Sequence, residues 1–172
     1  YRSCGVGGGI TGQGADILII DDPIKDRADA NSSTIRQSIW DWYTSTAYTR
    51  LSPGGGVIVM ATRWHVDDLI GRLINAMNAD SEADQFKIVN YPAIAEHDEL
   101  HRKTGEALHP ERYNLKQLTQ IKNTVGSRDW NALHQQHPII EGGGLIRTEW
   151  FKRYRIPPKL SYRIIASDTA LK

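Results

Sequence analysis

The chain has 172 residues, 40% of them hydrophobic, and a formal net charge of +1. That apolar content supports a real core and excludes a disordered chain. A single cysteine, Cys4, excludes an internal disulfide, and six scattered histidines give no Cys-rich zinc pattern, which suits a reducing compartment.

No apolar run approaches the roughly 18 residues of a membrane helix, and the start does not read as a signal peptide, so nothing argues for a membrane or for export. The chain begins without Met and ends on Asp168-Thr169-Ala170-Leu171-Lys172 in what reads as a strand exit. It is therefore expected to be a piece cut from a longer protein at both ends.

Residues 1 to 14, YRSCGVGGGITGQG, carry six glycines. They lack the GK[ST] ending that a phosphate loop needs, and they precede a strand rather than a helix. The expectation is a short strand near Ser3 to Val6, then a glycine loop that reads first as a plain connection and second as one from which Thr11 and Gln13 could reach a phosphate or DNA.

Ile17, Leu18, Ile19 and Ile20 then read as a strand buried on both faces, as in a parallel sheet. Asp21 and Asp22 stand at its exit, and Pro23 stops the ladder. Ligands of open α/β sheets bind at the carboxyl ends of strands, so two acids there can face a metal, a water or a phosphate. The pattern looks like a Walker B element, whose first carboxylate holds Mg²⁺ and whose second orients the attacking water on ATP. The plainer reading is a strand-end Asp that caps a helix or closes a turn.

Residues 24 to 30 read as a polar loop. Asn31, Ser32 and Ser33 offer caps for a helix to about Arg50, with Ile35, Ile39, Trp42 and Tyr43 at helical spacing. Those aromatics are expected to pack the helix onto the sheet rather than stack on bases. Ser52 to Gly56 reads as a turn and Val57 to Ala61 as a second buried strand, ending in Thr62-Arg63-Trp64-His65 at the same edge of the sheet. The Thr62 hydroxyl can sense a γ-phosphate or its water, and Arg63 can contact a phosphate or a neighbouring carboxylate. Asp67 and Asp68 read as the start of a helix bearing Leu69, Ile70, Leu73, Ile74 and Met77, ahead of any metal role.

Phe86 to Val89 is expected as a short strand, and 95 to 113 as a charged, turn-rich connection. His97-Asp98-Glu99-Leu100-His101 has the outline of a zinc helix, but Asp98 stands where that motif requires Glu. Two helices should follow, one capped by Asn114 and carrying Leu115, Leu118 and Ile121, the other starting at Ser127 with Trp130 and Leu133.

Gly142 to Gly144 and Pro157-Pro158 bracket a basic, aromatic segment that reads as a linker near DNA. Tyr162 to Ala166 reads as a new buried strand with Asp168 at its exit. Charge is divided unevenly: residues 1 to 100 carry a balance of −6 and residues 101 to 172 a balance of +7. The second half is thus a candidate polyanion-facing surface, or an ordinary solvated basic face.

The combination is more specific than any one block. GGGITGQGADILIIDDPIK, WDWYTSTAYTRLSPGGG and VIVMATRWHVDDLIGRL together resemble the large subunit of a tailed-phage terminase, the motor that packages viral DNA. The same order continues with YPAI at 91 to 94, GEALHPERY at 105 to 113, WNALHQQHP at 130 to 138 and then IIASDTALK, so the resemblance covers nearly the whole chain.

The resemblance implies an α/β fold. It comprises part of a P-loop-type, additional-strand ATPase sheet with flanking helices over 1 to 90, a small helical subdomain over 91 to 138, a linker over 139 to 160, and the first strand of a ribonuclease-H-like nuclease over 161 to 172. Asp21 matches the Mg²⁺ carboxylate and Asp22 the catalytic carboxylate that positions water. Ala61-Thr62-Arg63 matches the motif coupling hydrolysis to movement, with Thr62 and Arg63 at the cofactor, and Asp168 matches the first metal-binding Asp of the nuclease.

The implied cofactors are ATP with Mg²⁺, and Mg²⁺ or Mn²⁺ for the nuclease. The implied partners are double-stranded DNA, the portal protein, the terminase small subunit and further copies in a ring on the procapsid, in the host cytoplasm and at the portal vertex. Two departures stand out: Asp22 occupies a place where many motor ATPases carry Glu, and Gln13 one where relatives often carry Arg. Without a phosphate loop or the other nuclease acids, the piece alone is expected to be inactive. The alternatives are a helicase-like ATPase fragment, which shares the strand-end acids, and a non-catalytic DNA-binding protein or prophage remnant, which needs neither acid.

Overall fold

A computed structural model of the chain describes residues 3–10 and 12–139. The expected linker from residue 140 onward, the strand at 162 to 166 and Asp168 lie outside the described residues, as does Thr11.

Two strands, β1 (Ala15–Asp21) and β2 (Leu51–Met60), pair in parallel. Between them run α1 (Arg27–Asn31) and α2 (Ser33–Trp42); beyond β2 come α3 (Leu69–Ala79) and α4 (Leu115–Asp129). Leu18, Ile19, Ile20 and Asp21 sit opposite Val57, Ile58, Val59 and Met60. The exits of both strands are therefore level.

The core lies on one face of this sheet. Ile20, Ile24, Ala30, Ile39, Tyr43, Leu69 and Leu73 are buried together, with Leu18, Val57, Val59 and the rings of Trp40, Trp42 and Trp64 packed against them. Each fully buried Ile, Leu or Tyr side chain contributes about 1.5–3 kcal/mol.

The expectation of strands covered on both faces fails here. Ile17, Ile19, Ile58 and Met60 point the other way and are 61%, 54%, 47% and 50% exposed. Side chains alternate across a strand, and α1, α2 and α3 pack on the opposite face.

Local chemistry sets most boundaries. Asp26 caps α1 by accepting from the Asp29 amide at 3.0 Å, so residues 24 to 30 are not only the polar loop expected. Ser32 caps α2 through the Ile35 amide, and Asp68 caps α3 through the Gly71 amide at 2.8 Å.

The helix expected to reach Arg50 changes character at Tyr43. A π-helical turn over Tyr43–Ala47 gives way to a 3₁₀ turn over Tyr48–Arg50. The hydroxyls of Thr44, Ser45 and Thr49 donate back to the carbonyls of Trp40, Asp41 and Thr46 and compete with the regular ladder.

β2 starts earlier than the turn expected at 52 to 56. Leu51 already pairs with Ala15, and a register shift before Ile17↔Gly56 absorbs the Ser-Pro-Gly-Gly stretch as a bulge. The strand expected near Ser3 to Val6 is instead a turn, closed by the Gly8 amide on the Gly5 carbonyl at 2.8 Å.

Phe86 to Val89 does not pair as a strand. Its first amide is spent on Met77 Sδ at 3.2 Å, and it flanks an apolar groove of about 810 Å³ beside β2.

A second, smaller core gathers Ala107, Leu118 and Trp130 under Ala93, Ile94 and Ile121. Asn114 and Gln117 form a reciprocal capping box at the start of α4. Gly126, at φ 81°, breaks the helix where a second one was expected to begin at Ser127. The connection before α4 is tied by the antiparallel bridge Ile94↔Ala107. His97 to His101 lies in its bends, where Asp98 accepts from the Thr104 amide and the Lys103 ammonium.

Candidate functional site at the strand exits

Because β1 and β2 end level, with Asp21 opposite Met60, Asp22 is placed to reach Thr62. Asp21 is the last residue of β1; its side chain is exposed and makes no hydrogen bond or ion pair among the described residues. Asp22 leaves the sheet at φ 40°, in the left-handed region that a non-glycine residue seldom occupies and that Asp tolerates better than most. Its amide still donates to the Met60 carbonyl at 2.9 Å. Its carboxylate turns across the strand exits, and Oδ1 accepts from the Thr62 amide at 2.9 Å. Pro23 and the buried Ile24 then anchor the departing chain.

Thr62 therefore enters the site through its backbone; its hydroxyl bonds nothing among the described residues. Arg63 takes the second of the two options expected for it, a neighbouring carboxylate. Its Nε donates to Asp68 Oδ2 at 2.8 Å, with side-chain exposures of 15% for Arg63 and 6% for Asp68. Asp68 thus serves two partners, capping α3 with one oxygen and holding Arg63 with the other.

Gly71 makes this approach possible. A Cβ there would lie 1.9 Å from the Val66 carbonyl oxygen and 3.1 Å from Arg63 Nη2. Asp67, beside the cap, is gripped by Arg72 through two nitrogens at 2.8 and 2.9 Å and by Arg36 at 3.2 Å. The Arg72 bonds, assisted by Arg36 and opposed by burial, hold its carboxyl below the usual carboxylate range. His65 Nδ1 accepts from the Asp67 amide at 3.0 Å. Burial, then Arg36, pushes the His65 pKa down, which keeps that nitrogen free to accept.

Two residues that the sequence reading passed over complete the arrangement. Gln136 Oε1 accepts from the Arg63 amide at 3.1 Å, from 73 positions away. Gln135, 5% exposed, accepts from the Ile94 amide and donates to the Ile94 carbonyl and to Glu96. Both lie in the WNALHQQHP block, whose only local sign of a special role is a pair of amide side chains directly after a helix end.

Of the residues expected at the site, Asp22 and Thr62 are joined by a hydrogen bond, Asp21 precedes Asp22 at the end of β1 without a bonded partner among the described residues, Arg63 is engaged with Asp68, and Asp168 falls outside the described residues. No cluster of three or more His, Cys, Asp or Glu side chains able to hold a metal occurs among the described residues. The donor set at the strand exits still fits Mg²⁺ carried by a nucleotide, which takes one or two protein carboxylates and fills its other positions with phosphate and water. No helix among the described residues is long and apolar enough to cross a membrane.

A search of curated proteins finds no match to the chain. A family model described as "Terminase large subunit, T4likevirus-type, N-terminal" matches residues 1–153.

Proposed function

Since this chain belongs to the T4likevirus-type terminase large-subunit family, we propose that its strand exits form the carboxylate half of an ATP-hydrolysing site in a motor that moves double-stranded DNA into a procapsid. A role in phage DNA packaging comes with the family; the chemistry below is inferred from the residues. The observation that carries it is the Asp22 carboxylate, fixed on the Thr62 amide beside an unengaged Asp21.

Asp21 is the residue placed to hold the cation of a bound nucleotide, since its carboxylate is exposed and uncommitted among the described residues. Mg²⁺ would neutralise the triphosphate and stabilise charge developing on the transferred phosphoryl group.

Asp22 offers a different service. Oδ1 is anchored, which sets the direction of Oδ2, and Oδ2 has no protein donor among the described residues. It is the acceptor that orients the attacking water and takes its hydrogen bond. Thr62 joins this carboxylate to β2, so a change in what Asp22 holds reaches the coupling segment directly. Arg63 enters with its Nε committed to Asp68, so any contact it gives a phosphate comes from its Nη groups.

The sequence contains no GxxxxGK[ST]. The loop that cradles the phosphates is therefore assigned to another part of the full-length polypeptide. Asp168 is proposed as the first metal carboxylate of a nuclease that cuts the packaged DNA with Mg²⁺ or Mn²⁺. A two-ion site needs more carboxylates than one Asp supplies, so its partners are assigned to another part of the full-length polypeptide. The portal protein, the small subunit and further copies of the chain are the proposed partners, at the procapsid portal in the host cytoplasm.

Asp22→Asn in the full-length protein tests the central role. ATP turnover should be abolished with nucleotide binding largely kept, because Asn retains the acceptor for Thr62 and loses the charge that orients water. Undiminished turnover would sink the assignment. Asp168→Ala should remove DNA cleavage and spare ATP turnover, and unchanged cleavage would refute the nuclease role.

A further inference from the structure

The two amides that follow Ala61 are held by side chains from opposite ends of the described chain. Thr62 N donates to Asp22 Oδ1 at 2.9 Å and Arg63 N to Gln136 Oε1 at 3.1 Å. Gln136 is itself fixed: its backbone stands at φ 59°, and its Nε2 donates to the Leu133 carbonyl at 3.0 Å.

The segment that presents it is fastened on two further sides. Toward the sheet, Arg27 pairs with Asp129, and Arg128 Nη2 donates to Asn31 Oδ1 at 2.7 Å, so the end of α4 is bound to α1, the first helix after Asp22. Toward the connection, the Ala93 amide donates to the His134 carbonyl at 2.7 Å and Gln135 clasps Ile94.

We propose that Gln136 is the positioning residue that couples the β2 exit to the helical region at 91–138, so that a shift of the Asp22–Thr62 contact is delivered to that region through the Arg63 amide. Gln136 touches no reacting atom. Its effect runs through two consecutive peptide units, Ala61–Thr62 and Thr62–Arg63, whose N–H groups are held by two separate side chains. When the Thr62 end moves with Asp22, the Arg63 end must either carry Gln136 with it or break a part-buried hydrogen bond. The inference rests on the ATP-hydrolysis reading for its input, but the clamp itself can be measured without nucleotide.

The test uses the full-length protein with MgATP, duplex DNA and procapsids, recording ATP turnover and DNA translocated on one preparation. Gln136→Leu should leave the KM for ATP unchanged and cut the DNA moved per ATP hydrolysed by about three- to tenfold, the span of a single interaction that tunes coupling. Gln136→Glu keeps an acceptor for the Arg63 amide but loses the donor to the Leu133 carbonyl, so it should restore part of that ratio. A wild-type ratio in Gln136→Leu overturns the proposal, as does failure of Glu to rescue a folded Leu variant.

Amide hydrogen exchange without nucleotide separates this from the ATP reading. In Gln136→Leu, exchange should rise at Arg63 and stay unchanged at Thr62, and an unaltered Arg63 rate refutes the clamp whatever Asp22→Asn does. Should the Leu variant not fold, the wild-type protein decides. A non-hydrolysable ATP analogue with Mg²⁺ should alter exchange at residues 62–63 and 130–137 together, and a change at 62–63 alone overturns the proposal.

Discussion

Asp22 Oδ1 lies 2.9 Å from the Thr62 amide nitrogen, and Asp22 reaches it from a backbone at φ 40°. On the proposed reading, in which this side chain also orients water, its structural and chemical roles are separable. Asp22→Asn should change stability little, while Asp22→Ala removes an exposed hydrogen bond to the Thr62 amide and should cost about 0.5–1.5 kcal/mol by urea denaturation. Both should lower ATP turnover in the full-length protein by roughly 10²–10⁴-fold. A β-branched residue such as Val should cost more stability than Ala, because φ 40° is hostile to it. Equal stability of the Val and Ala variants would contradict that geometry.

Gly71 should tolerate no side chain. Alanine there meets the Val66 carbonyl oxygen at 1.9 Å and the Arg63 guanidinium at 3.1 Å, so the first turn of α3 must move off Arg63. Thermal or chemical denaturation should show a loss of about 3 kcal/mol. Gly56, whose added Cβ would meet nothing within 4 Å, is the control expected to accept Ala at much smaller cost.

Gln135 joins two distant segments through a buried amide. Gln135→Ala leaves both polar groups of Ile94 without their partner and should destabilise the fold by about 2–3 kcal/mol. Gln135→Glu keeps an acceptor for the Ile94 amide but loses the donor to its carbonyl and faces Glu96, and should be no better tolerated. Hydrogen exchange at Ile94 checks the assignment, since its amide should lose protection in the Ala variant.

Acid should weaken the fold in two stages. His65 and His134 both have pKa values held below the usual 6.5, His65 chiefly by burial and then by Arg36, and His134 by burial alone. A group depressed in the folded state binds protons first in the unfolded chain. Its contribution is whole above about pH 6.5 and is lost as pH falls through the lower folded values. Asp67, depressed from 3.8 mainly by its bonds from Arg72, contributes fully above pH 3.8 and loses that contribution below it. Urea midpoints measured from pH 8 to pH 3 should fall first below pH 6.5 and again below pH 4. His65→Gln should flatten the first step, and an unchanged profile would contradict the lowering of the His65 pKa by burial and Arg36.

Residue order alone reveals the features that short stretches encode. The aliphatic run before Asp21, the caps at Ser32, Asp68 and Asn114, and a new helical stretch from Ser127 were legible because strand pattern and cap each act within a few residues. The ordered blocks from GGGITGQG to WNALHQQHP carried the family resemblance, and the family match over residues 1–153 agrees with it.

Only the tertiary structure decided that Arg63 turns to Asp68, that Ser-Pro-Gly-Gly enters β2 as a bulge, and that Ile17, Ile19, Ile58 and Met60 stay exposed on one face. It also decided that Gln136 meets the Arg63 amide. The reason is physical: which acceptor an amide finds 73 residues away depends on how strands and helices stack, and residue order alone does not specify that path.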